Sequence, residues 1–177
     1  MKSNAVIRPA RLADAAELSV LMRRTFLAAN GHCSTPENVA EFLESKYRPE
    51  LQAREIRDPD ILTLIVEQDG QWAGFAQLRW GTTPPVELAP LPAVELGRIY
   101  LDDAFHGRGI AAQLVANLLV AASLRGSRSV WLSVWQEAAQ AIRFYKKHGF
   151  EIVGRTIFMV GDDPKEDWVM TQALPTA

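Results

Sequence analysis

Glu95-Leu96-Gly97-Arg98-Ile99-Tyr100-Leu101, then His106-Gly107-Arg108-Gly109-Ile110-Ala111, then a helical run from Ala112 to Leu124: the chain is organised around this succession of strand, glycine turn and helix. The first turn of a helix carries N–H groups without intrahelical acceptors and a partial positive charge, so it stabilises an anion. Gly107 and Gly109 lack Cβ atoms, which lets a ligand approach the main chain closely. A GxG spacing alone is equally what a tight turn between two core elements requires. Its flanks therefore decide the reading.

Upstream, Ala5 to Arg8 reads as a strand, and Asp14 as the cap of a helix running to about Asn30, closed by Gly31. Leu18, Leu21, Met22, Thr25 and Phe26 fall at helical spacing and give that helix one buried face. Thr35-Pro36-Glu37 has the order of cap, first helical position and first-turn acid, opening a helix that turns Val39, Phe42 and Leu43 inward. A further helical piece runs from Pro49 to Arg57. The period then changes: Ile61 to Glu67 is a strand, Asp69-Gly70 a hairpin turn, and Trp72 to Trp80 the returning strand. Pro84, Pro85, Pro90 and Pro92 make residues 81–93 an exposed loop.

Downstream, Ser129 to Val134 alternates as a strand, Ala138 to His148 is a helix closed by Gly149, and Phe150–Phe158 and Trp168–Leu174 are strands around the acidic turn Gly161-Asp162-Asp163-Pro164. This order predicts an α/β fold with one domain over residues 1–177, a mixed, largely antiparallel sheet of about seven strands and helices on both faces.

The composition is globular, with 48% apolar and 23% charged residues. A net charge of −2 offers no electrostatic case for nucleic acid or a membrane surface. Cys33 is the only cysteine, which rules out a disulfide within the chain and a thiolate metal cluster. His32, His106 and His148 share no ligand spacing, so no metal is expected. Without a membrane-length apolar run or a signal-like N-terminus, a cytoplasmic location is the expectation.

The second half resembles the GNAT superfamily of acyl-CoA-dependent N-acetyltransferases. The family's pyrophosphate motif (Arg or Gln, two residues, Gly, one residue, Gly or Ala) is matched by His106-Gly107-Arg108-Gly109-Ile110-Ala111 except at its first position, where His106 stands. Ala141-Ile142-Arg143-Phe144-Tyr145-Lys146-Lys147-His148-Gly149-Phe150 is similar to the family's AxxFYxxxGF ending. Val134-Trp135, Gly161-Asp162-Asp163 and Asp167-Trp168-Val169-Met170 resemble the PaiA-like branch, described as polyamine N-acetyltransferases, as do Thr35-Pro36-Glu37-Asn38 and Arg57-Asp58-Pro59.

The resemblance implies a GNAT fold, acetyl-CoA as co-substrate and acetyl transfer to a small-molecule or peptide amine by direct attack in a ternary complex. It also points to a homodimer, an analogy with family members. It places the CoA pyrophosphate on the backbone of Gly107, Arg108, Gly109, Ile110, Ala111 and Ala112, and the pantetheine along Ile99, Tyr100 and Leu101 as an added strand. The side chain of Arg108 is either a cation for the phosphates or a solvated arginine. An alkylamine of pKa ~10.4 is neutral in only about one molecule in 2,500 at pH 7, so a base is needed. Glu95 is the candidate, the competing reading being an exposed strand-end glutamate. Tyr145 matches the tyrosine that protonates the leaving thiolate, with core packing beside Phe144 as its alternative. The oxyanion falls to a backbone N–H near Leu101.

Ala138 stands where branch members carry an asparagine that holds the pantetheine; Gln140 is the nearest substitute. Ala138 and His106 give weight to a different class of function, an acyl-CoA-binding sensor without turnover. Acetylation of protein or peptide amines uses the same residues and differs only in the acceptor groove. The acidic turn at Asp162, Asp163 and Asp167 is a candidate for attracting a polycation, or equally a solvated hairpin. Trp80 and Trp135 are candidates for flanking the acceptor.

Overall fold

The strand before the glycine turn is the middle one of seven. The computed structural model describes residues 5–175. In chain order its elements are β1 (Val6–Pro9), α1 (Ala15–Asn30), α2 (Pro36–Lys46), α3 (Pro49–Arg57), β2 (Ile61–Gln68), β3 (Gln71–Arg79), β4 (Ala93–Leu101), α4 (Ile110–Leu124), β5 (Ser129–Trp135), α5 (Ala139–Lys147), β6 (Glu151–Val160) and β7 (Asp163–Ala173). The strands lie in the order β1-β2-β3-β4-β5-β7-β6, antiparallel except for the parallel pair β4–β5. The expected mixed α/β architecture is therefore present.

Two apolar clusters cover the two faces. On one, Leu114, Val115, Leu118 and Ala122 of α4 pack on Val94 and Leu96 of β4 and on Val130 and Leu132 of β5, with α5 alongside. On the other, Leu18, Met22 and Phe26 of α1 and Val39 and Phe42 of α2 pack on Ile65 and Phe75. These are the inward residues that helical and strand periodicity single out. Thr35 caps α2 by accepting from the Asn38 N–H at 3.2 Å. Asp69 and Gly70 both take left-handed φ, as a two-residue hairpin requires. Asp14 differs from its expected role. It stands at the N-cap position of α1 as expected, but it also ends a short 3-10 turn, Leu12–Asp14, and its carboxylate accepts from the Arg11 N–H and pairs with Arg8 at 2.7 Å, so its side chain makes no cap hydrogen bond to α1.

The decisive feature is in β4. Arg98 pairs with Gln77 and Leu96 with Leu78, leaving Gly97 as an extra residue in the strand. A bulge of this kind bends and twists its strand. Beyond it β4 and β5 part: they pair only through Ala93–Glu95 against Ser129–Trp131, and Leu96–Leu101 faces Leu132–Trp135 with no ladder between them. The result is a wedge, closed at Glu95 and open toward the glycine turn.

Side chains on both sides of the bulge converge on one carboxylate. Glu55 of α3 meets Arg79 at 2.7 Å, Arg98 at 2.8 Å and the Gln77 amide at 3.0 Å. The Arg79 side chain lies so close over Gly97 that a Cβ there would come within 3.1 Å of it. Burial alone would raise the Glu55 carboxyl, but Arg98, Gln77 and Arg79 outweigh it and hold it below its ordinary value. The stabilisation from this lowered pKa is present above the ordinary glutamate range and lost as pH falls through the folded-state pKa. Glu55→Ala strands two half-buried arginines and is expected to cost about 2–3 kcal/mol in urea unfolding at pH 7. An unchanged unfolding midpoint would remove Glu55 as the clamp on the bulge.

Candidate active site

At the mouth of the wedge the chain leaves β4, makes a 3-10 turn at Asp103–Phe105 and enters α4 through the glycines. Gly107 and Gly109 both have left-handed φ, 74° and 78°, and an added Cβ at either would meet nothing within 4 Å. Backbone conformation is thus what demands glycine there, and the space above the turn is open. Helix α4 begins at Ile110, two residues earlier than its apolar periodicity suggests, so Ile110, Ala111 and Ala112 form its first turn. That turn has no acidic residue and no side-chain cap. Its N–H groups are left for an anion.

The two irregular features of the loop have local explanations. His106 is turned back, its Nε2 3.2 Å from the Leu101 carbonyl oxygen, and ties the loop to the end of β4. The Arg108 guanidinium sits over the Phe105 ring, 5.2 Å from its centroid, at the rim of the anion seat.

The candidate residues lie along the walls of the wedge. Ile99 and Leu101 turn toward the α4 cluster, and Tyr100 toward the α1 cluster, stacked on Phe75. The Tyr100 hydroxyl accepts from Asn30 Nδ2 at 3.1 Å, which binds the end of α1 to β4. With their side chains committed, these residues offer the wedge their backbone edge. Tyr145 lies on α5, between the rings of Phe144 and Phe150. Burial drives its phenol far above the ordinary range, and among the described residues no protein group hydrogen-bonds its hydroxyl. The phenol is protonated throughout the neutral range and free to donate.

Glu95 closes the wedge, level with Trp131 of β5 and Arg79 of β3. It is half-buried rather than an exposed strand end. Burial raises its carboxyl, against the opposing effects of Arg79, the Thr82 hydroxyl and Arg98. Glu95 and Tyr145 lie on opposite sides of the sheet with the wedge between them.

The acceptor side is built differently from the sequence expectation. Strand β7 starts at Asp163, so the acidic turn contracts to Gly161 and Asp162. Asp163 accepts from the Ser34 hydroxyl at 2.5 Å and pairs with Lys165 at 2.7 Å, joining the α1–α2 loop to the β6–β7 hairpin. Trp80 is also elsewhere: its indole N–H donates to Ser127 at 3.1 Å and Arg125 covers its ring at 3.9 Å, at the closed end of the sheet. Trp135 does flank the open end, with the His32 ring 6.0 Å away. Ala138 immediately precedes α5 and packs on the core, offering no side-chain cap.

Asp167, read with Asp162 and Asp163 as part of a solvated or polycation-attracting turn, is in neither setting. Asp167 is only 5% exposed, on β7 opposite Trp135. Its one polar partner is the Ser133 hydroxyl, and no cation pairs with it among the described residues. Burial pushes its carboxyl up to about 6, with Ser133 opposing. The signal was the alternation of Asp167 with buried Val169 across Trp168, visible once the strand is extended to Asp163. A carboxyl raised in the folded state favours folding at low pH, and that contribution is lost as pH rises from the ordinary aspartate range through about 6. Asp167→Asn removes this burden and is expected to stabilise the protein by on the order of 2–3 kcal/mol at pH 7.5 and far less at pH 4. Thermal unfolding at the two pH values checks it; an equal shift at both would reject the buried-charge account.

Comparison with known proteins accords with this geometry. Residues 26–150 match the model of the acetyltransferase (GNAT) family. An uncharacterised N-acetyltransferase of Mycobacterium bovis is 34% identical over 92% of this chain and 99% of its own length. A peptidyl-lysine N-acetyltransferase of Salmonella typhimurium, YjaB, is 24% identical over 85% of this chain and 86% of its own. In fold, the chain is similar to the PaiA N-acetyltransferase of Thermoplasma acidophilum in complex with coenzyme A, with a TM-score of 0.78 at 21% identity over 96% and 99% of the two chains. The parted strands, the glycine turn and the family match converge: the chain belongs to the GNAT family and is an N-acetyltransferase whose co-substrate is acetyl-CoA.

Proposed function

We propose that this protein transfers the acetyl group of acetyl-CoA to a small primary alkylamine, a polyamine being the best-fitting class, by direct attack in a ternary complex. The observation that carries the reading is the wedge, which opens at one end on an anion seat and has Tyr145 and Glu95 on its two sides. Acetyl-CoA supplies the acyl group as a thioester. The backbone of Gly107, Arg108, Gly109, Ile110, Ala111 and Ala112 receives the pyrophosphate, with Arg108 at the rim. The unpaired edge at Ile99, Tyr100 and Leu101 receives the pantetheine as an added strand.

Glu95 takes the proton that the amine nitrogen sheds as it forms its bond to carbon. Its raised carboxyl makes it a better base than a solvated glutamate. Tyr145 holds a proton against the leaving sulfur. Its phenol is a weaker acid than a free thiol of pKa near 8.5, so its first contribution is a hydrogen bond that stabilises the thiolate. Two carboxylates, Glu95 and Asp167, on the acceptor side favour a cationic acceptor. The PaiA-like motifs point the same way, as does the likeness in fold to a PaiA enzyme. Similarity to a peptidyl-lysine N-acetyltransferase favours a lysine side chain as the second reading, since its end is the same primary alkylamine.

Purified protein with acetyl-CoA and a panel of spermidine, putrescine, amino sugars and lysine peptides is expected to release CoA thiol fastest with the polyamines. Release with lysine peptides alone would select the second reading. CoA binding without release for any acceptor would select a sensor. Tyr145→Phe is expected to lower kcat by about 100-fold while the acetyl-CoA KM stays within a factor of two; an unchanged kcat would remove Tyr145 from the thiolate. Gly109→Val, forced into a left-handed φ, is expected to do the reverse and weaken CoA binding in calorimetry.

A further inference from the structure

Resting on the reading of amine transfer, we propose that Ser133 and Asp167 form a proton path on the acceptor side of the wedge, which removes the first proton from the incoming ammonium group. An alkylammonium must lose two protons to become an amide. One leaves before attack, giving the neutral nucleophile; the other leaves as the nitrogen–carbon bond forms. Glu95, at the closed end, is placed for the second. The first has to be taken where the amine enters.

The geometry of β5 and β7 meets that need. Ser133 lies on β5, the strand that borders the wedge, and is half-buried. Val130, Leu132 and Val134 turn to the α4 cluster, so Ser133 turns to the opposite, acceptor face. Asp167 is its diagonal neighbour on the same face of β7, opposite Trp135, one strand further from the wedge and only 5% exposed. In the proposed step the ammonium N–H bond breaks and its proton passes to Ser133 Oγ, while the Ser133 hydroxyl proton passes to the Asp167 carboxylate. The nitrogen keeps its electron pair, Ser133 ends neutral, and Asp167 becomes a carboxylic acid that returns its proton to water after product leaves.

The surroundings leave Asp167 free for this. Lys165, on the same strand, is bound to Asp163. His32 packs against Trp135 across the open end, Thr156 is the β6 neighbour, and Tyr100 is held by Asn30 on the far wall. None of these shifts the Asp167 carboxyl, which is raised by burial and opposed only by Ser133. With a midpoint of about 6, it is mostly ionised at pH 7 and is a stronger base than a solvated aspartate.

The test compares Asp167→Asn, Ser133→Ala and Ser133→Thr with the wild-type protein, using spermidine and n-butylamine as acceptors from pH 5 to 9. Asp167→Asn and Ser133→Ala are expected to lower kcat/KM for the amine by about 100-fold, with the acetyl-CoA KM unchanged. The acidic limb near pH 6 should disappear in Asp167→Asn, and Ser133→Thr, which keeps the hydroxyl, should restore the rate. An acidic limb preserved in Asp167→Asn, or wild-type rates in Ser133→Ala, would overturn the proposal. If the wild-type protein acetylates neither amine, the amine-transfer reading fails, and the path is judged without turnover by NMR titration of the Asp167 carboxyl with CoA present. A midpoint near 6 that rises in Ser133→Ala supports it. A midpoint in the ordinary carboxylate range, or one unmoved by the loss of Ser133, overturns it.

Discussion

The arrangement depends on a bulge held open by a carboxylate. A parallel pair of strands closes its ladder along its length unless something bends one of them away. Gly97 supplies the extra residue, and Glu55 fixes its consequences by holding Arg79 and Arg98 from the two sides of the kink. If that clamp relaxed, β4 could settle against β5. The free backbone edge would close, and Glu95 would lose the gap it faces. A sheet with a complete ladder offers a ligand no main-chain partner in its middle. Here the sheet forgoes several ladder hydrogen bonds in its centre, and the half-buried ion pairs of α3 offset part of that cost.

The parted strands also divide the chemistry by face. Tyr145 reaches the wedge from the α5 side, in apolar surroundings that keep its phenol protonated. Glu95 stands on the side of α1 and α2, as does Asp167 one strand further on, and burial raises both carboxyls. An acid and its bases on one face would neutralise each other through direct hydrogen bonds. Separated by the sheet, each keeps the protonation state that its proposed part in acyl transfer needs. The α1–α2 loop closes the acceptor side because Asn30 and Ser34 tie it to β4 and to the β6–β7 hairpin at once.

Much of this was legible in the residues. The periodicity of Leu114, Val115 and Leu118, the caps at Thr35 and Gly149 and the Asp69-Gly70 turn report local physics, and they placed the elements to within a few residues. The glycine turn was legible for the same reason, since left-handed φ and open space are local demands. Long-range pairing was not. Nothing near Asp163 in sequence indicates that Ser34 and Lys165 engage it, so the turn read as a solvated acidic patch. Trp80 read as a pocket wall because its partners, Ser127 and Arg125, come from beyond the following strand and helix. Asp14 holds the cap position of α1 as read, but its carboxylate is drawn to Arg8 of β1, a pairing that local sequence does not announce.

Asp167 shows what that limitation conceals. A charged residue beside a turn is ordinarily solvated, and the sequence gives it the company of Asp162, Asp163 and Glu166. The hairpin instead pairs as far as Val160 and Asp163, so Asp167 lies within β7 on the face of Ser133 while Glu166 stays exposed. Burying an unpaired carboxylate opposes folding, and a chain shaped for stability alone would carry an apolar or amide side chain there. A use for the ionised form would account for that cost. On the proposed reading the wedge supplies one, since an ammonium entering between β4 and β5 meets on that face, through Ser133, a buried carboxylate that no cation among the described residues neutralises.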